Sequence, residues 1–282
     1  MCCPSSESSA PFWPASSQGP RERVPKVATY NVNSIRARFE RLLAWLAREQ
    51  PDVVCLQEIK VTEDEFPRME LEAAGWHAAI HGQRTYNGVA ILSRNPLDDV
   101  QPGLGDDAND PEARVLSGRL GALRVVSVYV PNGQVVGSDK WTYKLDWLRR
   151  LRGYLERTGS PEEPLVVCGD LNVAPEDRDV AFPAQWLGSV LTHEAARAAL
   201  RDVAAWGLAD AVRRHHPDGP GPFTWWDYRM LGFPKGDGMR IDHILATRPL
   251  VERCTGAYVV REERKGKQPS DHAPVVAVFQ DL

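Results

Sequence analysis

Residues 164–172 read PLVVCGDLN. The four apolar residues Leu165 to Cys168 suit a strand buried on both faces, but the run stops at Gly169 and then sets out a carboxylate and an amide, Asp170 and Asn172, two positions apart. Side chains alternate along an extended chain, so if the strand continues through Leu171 the two polar groups share one face while Leu171 points the other way. Gly, Asp and Asn are also ordinary turn formers, and from this stretch alone a capped turn is the plainer reading.

The rest of the chain repeats the pattern. From Lys26 strand-like and helical runs alternate: KVATYNVN at 26–33, a helix over 37–49, then PDVVCLQEIK at 51–60, where Pro51 closes the helix. Further strands are predicted at 86–93, 123–130, 240–247 and 273–279, with helices near 139–157 and 193–205. Several strands have no helix between them, and there are more than a doubly wound sheet of this length needs. That predicts an α/β fold of two sheets packed face to face with helices outside. No linker interrupts it, so residues 25–282 are expected to form one catalytic domain. Residues 1–24, rich in Ser and Pro, read as a disordered tail.

Composition narrows the function. Of 282 residues, 43% are hydrophobic and 26% charged, enough for a large core, and the formal net charge of -4 argues against a protein that coats nucleic acid non-specifically. An anionic partner must be bound locally. The five cysteines give neither a disulfide framework nor a zinc spacing. With no transmembrane run and no signal-peptide pattern, the sequence suggests a reducing, cytoplasmic location and no membrane partner.

The decisive observation is where polar residues fall. Asn31 and Asn33 close the first strand; Gln57, Glu58 and Lys60 the second; Tyr129 and Asn132 a middle one; Asp170 and Asn172 another; and Asp271 and His272 open the last. Five such endings imply strand ends gathered at one rim, where open α/β folds place their ligands. Carboxylates so gathered repel unless a cation sits among them, and oxygen ligands suit Mg²⁺ or Mn²⁺ better than zinc.

YNVNSIRAR, PDVVCLQEIK, YVPNG, GDLNVAP, FTWWDYR, RIDHILA and PSDHAPV occur in that order between about Lys26 and Phe279. In these motifs the chain resembles the exonuclease III family of class II abasic-site endonucleases, within the exonuclease/endonuclease/phosphatase superfamily. The resemblance implies a four-layered α/β sandwich with two mixed sheets face to face, Mg²⁺ (Mn²⁺ as substitute), and hydrolysis of the phosphodiester 5′ to an abasic site in duplex DNA. It also implies 3′–5′ exonuclease and 3′ phosphatase or phosphodiesterase activity on blocked 3′ ends, in a monomer.

Residue by residue, the resemblance makes Glu58 the main metal carboxylate, with Asn33, Asp271, Asp170 and Asn172 near the same site and Lys60 anchoring the acids. It makes Asp170 the group that orients or deprotonates the attacking water, and His272 with Asp242 an Asp–His pair. Asn172, Asn31 and Tyr129 become phosphate contacts. Trp225, Met239, Ile241 and Asn132 fall on the substrate side: Trp225 with Met239 and Ile241, two apart along a strand, would line an apolar pocket for a flipped-out sugar. Trp226 reads as a core aromatic, and His243 as turned away from the site. The charge run at 261–267 is either a phosphate-contacting rim or a solvated loop. Other branches of the superfamily act on inositol phosphates, sphingomyelin or poly(A), and a catalytically dead DNA-binding module is a further alternative. FTWWDYR with RIDHILA favours the abasic endonuclease branch.

Overall fold

The computed structural model describes residues 25–108 and 110–280, so the tail reading of residues 1–24 lies outside the described residues. Its frame is two six-stranded mixed sheets. In the first the order is β11 (Cys254–Val259), β12 (Val275–Phe279), β1 (Lys26–Asn31), β2 (Val53–Gln57), β4 (Val89–Ser93), β3 (His77–His81); in the second it is β5 (Asp98–Pro102), β6 (Val115–Leu120), β7 (Leu123–Tyr129), β8 (Leu165–Asp170), β10 (Asp242–Thr247), β9 (Leu208–Asp210). Each sheet has one parallel pair at its centre, β1 with β2 and β7 with β8, flanked by antiparallel neighbours.

Alternation along the central strands builds three cores. Val166 and Cys168 of β8 face the other sheet, meeting Val27, Val53 and Cys55 in the inter-sheet layer. Leu165 and Val167 face outward against α3 (Asp139–Thr158), whose Trp147, Leu148, Leu151 and Leu155 recur at helical spacing. Ala28, Tyr30, Val54 and Leu56 pack likewise on Leu42, Trp45 and Leu46 of α1 (Ile35–Glu49). The layers therefore run helix, sheet, sheet, helix, as the motifs implied. Among the described residues no helix is long and apolar enough to cross a membrane.

Gly169 explains the break in the opening stretch. A Cβ there would lie 1.8 Å from the Val128 carbonyl oxygen, so only glycine lets β8 run beside β7 at this point. The extended conformation stops at Asp170, because Asn172 adopts φ 49°. Asp170 and Asn172 do not share a face by alternation. They meet through a turn in which the Asn172 N–H donates to Asp170 Oδ1 at 2.9 Å, while Asp170 Oδ2 remains free for other partners.

Candidate active site

Topology brings the polar strand ends together. β1 and β2 are parallel and end side by side, Asn31 opposite Gln57, with Glu58 next in the chain. In the second sheet Tyr129 ends β7 beside Asp170, and Asp242 opens β10 opposite Asp170. His272 lies just before β12, which runs antiparallel to β1. Asn33, Glu58, Lys60 and Asn172 all have φ between 45° and 56°. A left-handed non-glycine residue costs about 1 kcal/mol, so the hydrogen bonds around these turns hold a backbone that the local sequence does not favour.

Some of these bonds cross between the sheets, Asn31 to Asp170 and Tyr129 to Glu58 among them. Asn31 Nδ2 donates to Glu58 Oε1 at 2.9 Å and to Asp170 Oδ2 at 3.0 Å. The Tyr129 hydroxyl donates to Glu58 Oε1 at 3.0 Å, and Lys60 Nζ lies 2.7 Å from Glu58 Oε2. Lys60 also donates to Asn33 Oδ1 at 2.6 Å, and Asn33 Nδ2 to Asp271 Oδ1 at 2.9 Å. His272 Nδ1 is 2.9 Å from Asp242 Oδ2, a buried carboxylate that also accepts from Thr224 Oγ1 at 2.6 Å. With Nδ1–H committed to Asp242, Nε2 is directed to Asp170 Oδ2, 3.7 Å away.

Electrostatics separates the acids. Burial alone would raise Glu58, but the Lys60 ammonium and the bonds from Lys60 and Asn31 bring it below its ordinary value. Burial drives the Asp170 carboxyl well above the carboxylate range; His272 opposes the rise, and the Asp242 and Glu58 charges add to it. Burial would also discharge His272, yet Asp242, then Asp170, more than reverse this and hold the imidazolium far above its usual range. Tyr129 stays a neutral donor, raised by burial and by the Glu58 and Asp170 charges.

Glu58, Asp170 and His272 offer ligand atoms that all lie within 4.8 Å of one another, the one such acid and histidine group among the described residues. The two carboxylates fit a hard divalent cation, since crowded acids in a buried cluster need one. His272 fits this role poorly: its Asp242 partner favours the protonated ring, which has no lone pair to give. The implied ligand set is narrower in the structure than in the sequence. Asp271 is outside the group, bound instead by Asn33 and by Trp225 Nε1 at 3.1 Å. Asn33 gives its oxygen to Lys60, and the Asn172 amide is spent on the Val130 carbonyl at 3.0 Å and on Asn132 Nδ2 at 3.1 Å.

On the substrate side, Trp225 is half-buried and lines a cleft with Asn132, Trp186, Leu191 and Asp271 beside the acids. Met239 and Ile241 do not line it. They are 0% and 2% exposed and belong to the core beneath β8 and α3, and β10 begins only after them at Asp242. Apolar residues signal pocket and core alike, and here the core took them. Trp226 is in the core, as read from sequence. His243 points away from the acids, its Nε2–H donating to the Val173 carbonyl at 3.1 Å. The run 261–267 is mixed: Arg264 is buried, donating to the Ser270 carbonyl and stacked on Trp226, Tyr228 and Phe233, whereas Lys265 pairs with Glu262 at the surface. Arg264 is therefore a brace under the Asp271–His272 loop and not part of a phosphate rim. Sequence reading missed Thr224, which orients Asp242, and Lys144, a buried lysine on the apolar stripe of α3.

A model of the Endonuclease/Exonuclease/phosphatase family matches residues 28–272. Exodeoxyribonuclease III of Haemophilus influenzae is 35% identical over 268 residues, covering 90% of this chain and 100% of the relative. Among solved structures, an AP endonuclease from Archaeoglobus fulgidus superposes with a TM-score of 0.88 at 41% identity, covering 91% of this chain and 100% of that one. A 3′ phosphatase, NExo from Neisseria, bound to a product DNA hairpin, superposes with a TM-score of 0.87 at 38% identity, covering 91% and 100%.

Proposed function

The chain belongs to the endonuclease/exonuclease/phosphatase family and is a nuclease of the DNA-repair type, and we propose that it hydrolyses the phosphodiester 5′ to abasic sites in duplex DNA. Removal of blocking groups from 3′ ends and 3′–5′ exonuclease action use the same chemistry at the same rim. The observation that carries this reading is the cross-sheet bonding of Glu58, Asn31 and Asp170 beside the Asp242–His272 pair, with a half-buried tryptophan next to it.

Glu58 and Asp170 would hold the cation, Mg²⁺ with Mn²⁺ as substitute. Bound there, it would supply positive charge to a phosphate held at this rim. Asp170 takes the proton of a water attacking in line: its Oδ2 faces the point that His272 Nε2 also reaches, and the Asn172 N–H fixes its orientation. His272, held protonated by Asp242, faces the same point and stabilises charge growing on the non-bridging oxygens, while the Asn31 amide and Tyr129 hydroxyl hold Glu58 and Asp170 in place. The products are a 3′ hydroxyl and a 5′ deoxyribose phosphate.

The test is Mg²⁺-dependent incision of a duplex carrying a single tetrahydrofuran residue. Cleavage that leaves an extendable 3′ hydroxyl is expected. No incision together with phosphate release from inositol phosphates would move the chain to another branch of the family. Trp225→Ala sharpens the test: apolar contact of a sugar with the indole contributes about 1.5–3 kcal/mol, so incision should fall about 10- to 100-fold in kcat/KM with little change in melting temperature.

A further inference from the structure

Lys144 stands on the apolar stripe of α3 with Trp141, Leu148, Leu151 and Leu155, and it is 0% exposed. A leucine or methionine would fill that position without the desolvation penalty of a buried ammonium, so the charge calls for a reason. Its partners supply one. Lys144 Nζ donates to the carbonyls of Asn132 at 3.1 Å, Asn172 at 2.6 Å and Val190 at 2.7 Å, using all three of its N–H groups on backbone acceptors.

These carbonyls belong to three different loops: the one after β7, the one after β8, and the one that leads into α4 (Glu194–Ala204). Each loop contributes to the rim. Asn132 and Asn172 bond to each other through their side chains, and Val190 with Leu191 forms a wall of the cleft that holds Trp225. The loop after β7 is also shaped around the lysine. Gly133 has φ 93°, and a Cβ on it would come within 2.9 Å of Lys144 Cδ and 3.3 Å of Trp141 Cε3. The glycine of YVPNG and the lysine on the helix are thus two halves of one fitting.

We propose that Lys144 is a positioning residue for the phosphodiesterase reaction: by tying Asn132, Asn172 and Val190 to one ammonium, it sets the spacing between the Asp170–Asn172 turn and the wall of the substrate cleft. The inference rests on the nuclease reading above, and it predicts a kinetic signature that a mere core filler lacks. A displacement of about 1 Å at reacting groups costs up to about 10²-fold in rate. Lys144→Met keeps the stem and removes the charge. It is expected to lower kcat for tetrahydrofuran-site incision by about 10- to 100-fold while KM changes less than about threefold. Gly133→Ala, which crowds the stem, should lower kcat in the same way. Leu148→Ala, from the same stripe but away from the rim, is the control: it should lose melting temperature while keeping kcat within about twofold when assayed fully folded.

A second readout does not depend on turnover. The ¹⁵N side-chain amide resonances of Asn132 and Asn172 should shift or broaden in Lys144→Met and Gly133→Ala and stay in place in Leu148→Ala. Wild-type kcat in folded Lys144→Met or Gly133→Ala, an equal kcat loss in Leu148→Ala, or unmoved amide resonances would overturn the proposal. Wild-type protein without incision would instead refute the nuclease reading, and the amide resonances would still decide the role of Lys144.

Discussion

Arg240 and Asp242 stand two residues apart where the chain enters β10, yet they belong to buried charge clusters of opposite character. Arg240, 1% exposed, joins Asp179 and Asp210, and Arg213 adds a second cation on Asp179. Two guanidinium groups face two carboxylates, and the charges cancel. On the other side, Asp242, Glu58 and Asp170 form ion pairs with Lys60 and His272 among the described residues, three acids against two cations. The titration of one member from each makes the difference plain. Burial would raise Asp210, but Arg240, then His243, carry it far below the carboxylate range, whereas Asp170, equally buried, is driven upward. Buried charges that are fully paired staple loops together; buried acids left short of cations are held ready for a partner from outside.

The largest expected effect tests the unbalanced side. Asp170→Asn keeps the shape of the turn and removes the proton acceptor, so kcat should fall by at least about 10²-fold. Because the variant also relieves repulsion among the acids, its melting temperature without divalent metal should equal or exceed that of wild type. A marked drop in melting temperature would place Asp170 with the staples and erase the contrast.

Arg240→Met does the reverse. It leaves Asp179 and Asp210 buried with one cation fewer, and urea unfolding should show a loss of about 3–5 kcal/mol. The folded Asp210 titrates below its unfolded value, so its stabilising contribution is present above the unfolded value and disappears as pH falls through the folded one. The acid limb of the stability curve should therefore flatten in the variant. A variant as stable as wild type would show that the pairing contributes nothing.

A subtler change separates the two clusters by pH. His272 titrates above its unfolded value, so its charged form persists into alkaline solution and its contribution is lost as pH rises through the folded value. In Asp242→Asn the nearest charge sustaining the imidazolium is gone, and the alkaline limb of the kcat–pH profile should move towards neutrality while the acid limb moves less. An unmoved alkaline limb would remove His272 from the charged role given to it above.

How much of this was legible in sequence depended on the kind of signal. Apolar runs with polar ends revealed the central strands, since β1, β2, β7, β8, β10 and β12 are buried along most of their length. β5 was invisible because all five of its residues are exposed and DDVQP has no apolar alternation, and β9 is only three residues long. The gathering of Asn31, Glu58, Asp170 and His272 at one rim could be read from strand ends, and Asp242 only from the family resemblance, but the turn that brings Asn172 round could not, because its left-handed backbone breaks the period of two. Met239 and Ile241 misled because an apolar pocket and an apolar core have the same composition. The Arg240 network escaped notice because its members are far apart in the chain. Lys144 did leave a trace, a charge at a buried helical position with Trp141 three residues before and Leu148 four after.

The central claim is that the unbalanced cluster holds a divalent cation through Glu58 and Asp170. Calorimetric titration of Mn²⁺ into DNA-free protein tests it directly, comparing wild type with Glu58→Gln and with Asp179→Asn from the balanced cluster. Loss of one charged oxygen ligand should weaken binding at least about 10-fold in Glu58→Gln, with part of the incision activity returning at high metal concentration, and Asp179→Asn should bind as wild type does. Equal Mn²⁺ affinity in wild type and Glu58→Gln would contradict the assignment.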